Sequence, residues 1–223
     1  MFLSYSRVVR QAVLDRLSLP VDVALDVGCG TGNVVKSIVD LCGSVTGLDT
    51  DCKLVEVARA RLAAHTNVAF LCGAFDGWKP VISAFDLITC EMSFHHFGTI
   101  ESAIKLRSLI KPGGSLIILD YVTDQHSFTT RYCLDLLSVP FAGPRSVLPA
   151  LGRFGTLSFV ELIIGRIGAL LSAGGRQHIR SDLHNQRAIP NSLLRRLQSE
   201  VFLGSSITWM PGSIFLLEYS SPQ

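Results

Sequence analysis

The sequence predicts an α/β domain doubly wound around a mostly parallel sheet. Three observations predict it. Short β-rich apolar runs alternate with longer helix-period stretches through residues 1–120. The first run passes directly into a glycine-rich turn, Gly28-Cys29-Gly30-Thr31-Gly32. Near the C-terminus two more apolar runs flank Pro211-Gly212-Ser213, a tight-turn composition that joins antiparallel strands.

The elements follow in order. Residues 23–27, 44–49, 67–72, 85–90 and 115–121 read as strands, and 34–41, 51–64 and 99–110 are long enough for helices between them. Strands joined through helices form βαβ units, which build a parallel sheet covered on both faces. Lys111-Pro112-Gly113-Gly114 ends the third helix, because proline cannot continue it and glycine turns the chain. A helix over 190–202, opened by Pro190 or Asn191, buries Leu193, Leu194, Leu197 and Val201. It feeds an antiparallel hairpin, 207–210 and 214–219, that brings the sheet to seven strands. Residues 122–189 fit neither pattern and are too long for a bare connection. They are expected to form a helical insertion after strand five, a cap within one domain spanning 1–223.

Composition supports a packed domain. Hydrophobic residues make up 48% of 223 and charged ones 17%, which excludes disordered, collagen-like and coiled-coil chains. The net charge of +2 is too balanced for an evident nucleic-acid binder. The second half is mildly basic, and all its cations are arginine. Cys29, Cys42, Cys52, Cys72, Cys90 and Cys133 form no C-x-x-C pair, so reduced, mostly buried thiols in a cytoplasmic protein are expected. Residues 1–7 lack the apolar run of a signal peptide, and no stretch has the length and apolarity of a spanning helix.

The glycine turn carries the functional signal. Glycines there permit a sharp turn and let a ligand approach the backbone, while free N–H groups at the next helix start add a polar wall. Asp49 ends the second strand, placed so that its carboxylate can accept hydrogen bonds from both hydroxyls of a ribose. The dinucleotide pattern G-x-G-x-x-G/A fails at its third position, where Asn33 stands and Gly32 comes early. This argues against a nicotinamide cofactor.

The full string Asp26-Val27-Gly28-Cys29-Gly30-Thr31-Gly32 resembles motif I of the class I S-adenosylmethionine-dependent methyltransferases. Gly47-Leu48-Asp49-Thr50-Asp51 resembles the second family motif, and Phe85-Asp86-Leu87-Ile88 the fourth strand. Met92-Ser93-Phe94-His95-His96-Phe97 and Leu109-Ile110-Lys111-Pro112-Gly113-Gly114 are similar to segments of the small-molecule subgroup that includes ubiquinone and menaquinone methyltransferases. The resemblance covers 20–121 well, 190–223 loosely and 122–189 not at all. It implies a Rossmann-like fold, S-adenosyl-L-methionine as cofactor, and methyl transfer to a small, lipophilic acceptor. Gly28, Cys29 and Gly30 would form the backbone wall, Asp49 the ribose contact, Thr50 a neighbouring backbone contact, and Cys90 a neighbour of the donor's methionine portion.

The sequence departs from the family after strand three. Where relatives often have Gly-Asp-Ala, this chain has Gly73-Ala74-Phe75, with Asp76 two places late. Either the backbone of Ala74 and Phe75 holds adenine, with Phe75 packing on it, or Asp76 substitutes through a shifted loop.

Methyl transfer is an in-line displacement in which alignment does most of the catalytic work. A phenol or carboxylic acid acceptor must also lose a proton, and neutral histidine is the natural base. His95 and His96 are the candidates, since they follow strand four at the ligand-facing end of the sheet; the alternative is that one packs under the helix and the other only touches cofactor or substrate. Glu91 either holds the donor's amino group or a substrate, or is simply solvated. Tyr5 and Arg10 belong to an N-terminal lid or to an ordinary surface helix.

No metal is expected. The histidines His95 and His96 are adjacent in sequence, and His126, His178 and His184 are scattered. The apolar stretch 154–171 is a lid for a hydrophobic acceptor, an extra core helix, or a surface for a membrane or partner with Arg153 and Arg166 at the water boundary. The rival functions are an RNA or protein methyltransferase, a non-catalytic cofactor-binding scaffold and a nicotinamide oxidoreductase. Against the first, no basic run with interleaved aromatics occurs.

Overall fold

The computed structural model describes residues 3–16, 21–80, 84–123, 189–210 and 214–222. In chain order the elements are α1 (Leu3–Arg16), β1 (Val21–Val27), α2 (Asn33–Ile38) running into a 3-10 turn (Val39–Leu41), β2 (Cys42–Asp49) and α3 (Cys52–Arg61). Then come β3 (Val68–Cys72), β4 (Phe85–Glu91), α4 (Phe94–Phe97), α5 (Ile100–Ser108) and β5 (Ile110–Thr123). The chain closes with the short β6 (Ile189–Pro190), α6 (Asn191–Arg196) extended by a π-turn (Leu197–Val201), β7 (Ser206–Met210) and β8 (Ile214–Ser220).

The strand order is β3-β2-β1-β4-β5-β8-β7, with β6 pairing β5 off this path. β1 through β5 run parallel to one another, and β8 runs antiparallel to both β5 and β7. This is the expected doubly wound sheet with an antiparallel finish. The order reverses at β1, where β2 lies on one side and β4 on the other, so a crevice opens beyond their C-terminal ends.

Alternation along each strand splits the core into two layers. Ala24, Val45, Leu87 and Ile117 face one layer with Val9, Val13, Val35, Ile38 and Val55 of α1–α3. Leu25, Leu48, Ile88, Leu116 and Ile118 face the other, with Leu106 of α5 and Leu194, Leu197 and Val201 of the α6 segment. α1 buries Val8, Val9, Ala12 and Val13, a stripe one helical face wide. Asp51 caps α3 by accepting from the Lys53 and Leu54 N–H groups, and Thr99 caps α5 by accepting from the Ser102 N–H.

Element ends shift by a few residues from the sequence reading, and two segments differ in form. β5 begins at Ile110, and Lys111-Pro112-Gly113-Gly114 forms an irregularity within it: Phe85 pairs Ile110, and pairing resumes at Leu87 with Ser115. The expected continuous helix 190–202 widens after Arg196, where Phe202 N–H reaches Leu197 O at 2.7 Å. The buried stripe keeps Leu194, Leu197 and Val201, whereas Leu193 is half-buried.

The expectation of reduced thiols is corrected at one pair. Cys52, opening α3, and Cys72, closing β3, form a disulfide. β2 and β3 run in register with Asp49 opposite Cys72, so the start of α3 comes beside the end of β3. Cys29, Cys42 and Cys90 are buried free thiols. No helix among the described residues is long and apolar enough to cross a membrane. The turn Pro211-Gly212-Ser213, His126, His178, His184 and the 154–171 stretch lie outside the described residues.

Candidate active site

The loop after β1 uses three left-handed glycines for three different reasons. Gly28 has φ +76°, and a Cβ there would stand 2.2 Å from the Ser93 Cβ. Gly32 has φ +77°, and a Cβ there would press on Leu62, Phe70 and Ala58. Gly30 has φ +50°, and a Cβ there would meet nothing within 4 Å. Open space at the loop's apex is what a ligand approaching the backbone requires, and among the three only Gly30 has it. Gly28 instead makes room for Ser93, whose hydroxyl donates to Val27 O at 2.6 Å.

Ser93 reaches that position through a strained residue. Met92 has φ +49°, a conformation that costs a non-glycine residue on the order of 1–3 kcal/mol. The Met92 N–H donates to Leu119 O at 2.7 Å, so the turn is tied to β5.

Asp49 faces this loop from the tip of β2. One carboxylate oxygen accepts from Gly30 N–H at 2.7 Å, and the other accepts from Asp51 N–H at 2.9 Å. Each oxygen retains acceptor capacity for a hydroxyl. Gly28 and Cys29 both donate to Leu48 O, which stitches the loop to β2. The Cys29 thiol turns into the core and burial pushes its pKa up, so only its main chain is presented to the crevice. Thr50 is exposed beside Asp49.

Two further carboxyls converge here. Asp26, two residues before Gly28, is buried; Oδ1 accepts from Thr89 Oγ1 at 2.8 Å, and Oδ2 has no hydrogen-bond partner among the described residues. Burial pushes its pKa up to about 7, against the Thr89 hydrogen bond, and the Asp49 charge adds to the rise. Glu91, closing β4, is raised to about 8 by burial and by Asp26, with Ser6 opposing. Ser6 of α1 donates to Glu91 Oε2 at 3.0 Å. Asp26 and Ser6 were not expected as site residues. Asp26 carries a sequence signal, a charged residue after the apolar run Val23-Ala24-Leu25; Ser6 carries none.

The N-terminal pair divides. Arg10 contacts Ser37 O and binds both oxygens of Asp40, at 2.6 and 2.9 Å, which directs it to the outer end of α2. The Tyr5 side chain lies outside the described residues.

On the other side, the turn after β3 is anchored. Phe75 is buried and its ring packs on Phe97 at 5.3 Å. Lys105 Nζ donates to the carbonyls of Phe75, Asp76 and Trp78, and stands 4.6 Å over the Phe75 ring. Asp76 Oδ1 accepts from Ser102 Oγ at 2.8 Å. Asp76 is thus tied to α5 although it is exposed, Phe75 points into the core, and Ala74 is exposed.

The two histidines differ sharply. His95 is buried, with Nδ1 2.8 Å from Asp120 Oδ1; His96 is exposed. Their rings pack at 4.0 Å between centroids. Cys90 is fully buried between the layers and burial raises its thiol, so its side chain is turned away from solvent. Among the described residues no group of His, Cys, Asp and Glu could hold a metal ion.

Comparison with known proteins agrees with this fold. Residues 24–114 match a family model described as a methyltransferase domain. The Arabidopsis thaliana protein named Probable thiol methyltransferase 2 is 32% identical over 159 residues, 66% of either chain. The ubiquinone biosynthesis O-methyltransferase of Coxiella burnetii is 33% identical over 94 residues, 41% of this chain and 40% of the relative. The structure of the N-methyltransferase NodS from Bradyrhizobium japonicum shares the fold, with a TM-score of 0.58 and 11% identity over 98% of this chain and 94% of that one. The chain spans about two-fifths of the length of the first curated relatives it matches. By motif order, sheet topology and these likenesses, the chain belongs to the class I S-adenosylmethionine-dependent methyltransferases.

Proposed function

We propose that this chain transfers a methyl group from S-adenosyl-L-methionine to a small, lipophilic acceptor by in-line displacement. The observation that carries the reading is the Asp49 carboxylate, oriented by the Gly30 and Asp51 N–H groups beside a loop apex that is open where a Cβ would stand. A carboxylate so held accepts two ribose hydroxyls without reorganising. Gly28, Cys29, Gly30 and Thr50 line the sugar and methionine portions with main chain.

The donor supplies the transferable methyl on a sulfonium. Asp26 and Glu91 suit its α-ammonium: Asp26 Oδ2 is a buried acceptor without a partner among the described residues, which a cationic donor would satisfy. Cys90 contributes through its main chain near the methionine portion. Main-chain groups at Ala74 and Phe75 hold adenine, on a turn that Lys105 stiffens. Asp76 is occupied by Ser102, which favours the backbone reading over a shifted Asp76.

Relatives named for ubiquinone biosynthesis and for thiols support a small acceptor. The apolar sequence of 154–171 supports a lipophilic one. Segment 124–188 leaves from the end of β5, and Ile189 returns to pair Val122, so both its ends sit at one corner of the sheet; this supports its role as a cap. The buried thiols of Cys29, Cys42 and Cys90 support a cytoplasmic setting, and the Cys52–Cys72 disulfide weighs against it.

Isothermal calorimetry with S-adenosylhomocysteine tests the reading. Binding by the wild type and its loss in Asp49→Ala are expected. No binding by a folded wild type would refute it.

A further inference from the structure

The buried contact between β5 and the start of α4 goes beyond cofactor binding. Asp120 Oδ2 accepts from the His95 N–H at 2.9 Å, and Oδ1 accepts from the Tyr121 N–H at 2.8 Å. The third neighbour of this carboxylate is His95 Nδ1, 2.8 Å from Oδ1. Both side chains are almost wholly enclosed, at 1% and 0% exposure. The Tyr121 ring packs on the imidazole at 4.6 Å and the His96 ring at 4.0 Å, so the ring plane is held from more than one side. At the far edge, His95 Nε2 is buried without a hydrogen-bond partner among the described residues.

A main-chain N–H can only donate. A carboxylate that already receives two of them is set up as an acceptor, and its bond to the imidazole is best made by an Nδ1–H donor. A neutral imidazole carries one ring proton, so fixing it on Nδ1 leaves Nε2 with a lone pair. Leaving that nitrogen buried and unpaired is unfavourable, and a ligand proton would relieve it.

We propose that Asp120 is a positioning residue that locks His95 in the Nδ1–H tautomer, so that Nε2 takes the proton of an acidic acceptor O–H during methyl transfer. The inference rests on the methyl-transfer reading and narrows the acceptor to a phenol-like or carboxylic hydroxyl. As the oxygen–methyl bond forms, the carbon–sulfur bond breaks with its electron pair passing to sulfur. The hydroxyl proton passes to Nε2. The resulting imidazolium faces the Asp120 carboxylate, which stabilises it until water removes the proton. His96 lies exposed and is not the partner of this carboxylate.

Long-range proton–nitrogen correlation spectra of the isotope-labelled full chain at neutral pH read the tautomer without any acceptor. The His95 resonances are those lost in His95→Gln. The expected result is a protonated Nδ1 and an unprotonated Nε2, in at least about tenfold excess, the preference a hydrogen bond to a charged group confers. In Asp120→Asn that excess should collapse, with Nε2 gaining proton occupancy. A wild type with protonated Nε2, or a folded Asp120→Asn with unchanged nitrogen shifts, would overturn the proposal. If Asp120→Asn does not fold, the wild-type spectrum alone decides. Failure of S-adenosylhomocysteine to bind the wild type would remove the methyl-transfer reading while leaving the tautomer result standing, so the two failures are separable.

Discussion

Ser93 occupies the space that a side chain on Gly28 would need, 65 residues away in the chain, with a Cβ at Gly28 only 2.2 Å from the Ser93 Cβ. The first glycine of the loop therefore serves packing between β1 and the turn after β4, and the second, with open space beside it, is the one proposed to let the cofactor approach. Substitutions should separate the two roles. Gly28→Ala combines a clash with a left-handed backbone and should lower stability by roughly 2–4 kcal/mol, seen as a fall in melting temperature. Gly30→Ala should lose only about 1–3 kcal/mol from its backbone conformation. Its larger effect should be weaker S-adenosylhomocysteine binding by calorimetry. Equal stability losses in the two variants would contradict this division.

Asp49 joins the glycine loop to the start of α3 while presenting its free lone pairs outward. Asp49→Ala should reduce S-adenosylhomocysteine affinity about 10- to 100-fold, the worth of one or two hydrogen bonds to a charged group. The variant also leaves the Gly30 and Asp51 N–H groups without their acceptor. A modest fall in melting temperature should accompany the loss of affinity. Unchanged affinity would contradict the ribose assignment.

Asp26 and Glu91 make stability depend on pH in an unusual direction. Their folded pKa values are raised, to about 7 and about 8, from ordinary values of 3.8 and 4.5. Between about pH 5 and 8 the folded state thus binds more protons than the unfolded one, and stability falls as pH rises. For Asp26 the effect is on the order of a few kcal/mol across the window. Melting curves of the ligand-free protein should show the decline, and Asp26→Asn should flatten it. S-adenosylhomocysteine brings an ammonium that favours the ionised carboxyls, so its affinity should rise over the same range. A melting temperature that climbs from pH 5 to 8 in the ligand-free protein would contradict the burial of these groups.

Cys52 and Cys72 close a loop with a sequence separation of 20 beside Asp49. Reduction should lower stability by about 3 kcal/mol on the chain-entropy estimate. Melting with and without a reductant checks this, with Cys52→Ser as the control that should no longer respond. An identical melting temperature in both conditions would mean that the bond does not contribute to the folded state.

The local grammar of the chain was legible in its residues. Apolar runs such as Val23–Ala24–Leu25, the Gly28-Cys29-Gly30 turn and Asp49 at a strand end each express backbone preference or periodicity within a few residues, and the sheet formed from them has the expected parallel order. Tertiary structure alone decided which glycine has open space beside it, because only the seating of Ser93 shows that the space at Gly28 is filled and that at Gly30 open. It likewise decided that His95 meets Asp120, that Ser6 reaches Glu91, that Asp76 is held by Ser102, and that Cys52 meets Cys72. Contacts between groups 20 to 85 residues apart follow from strand order and register, and those arise from burying the whole core at once.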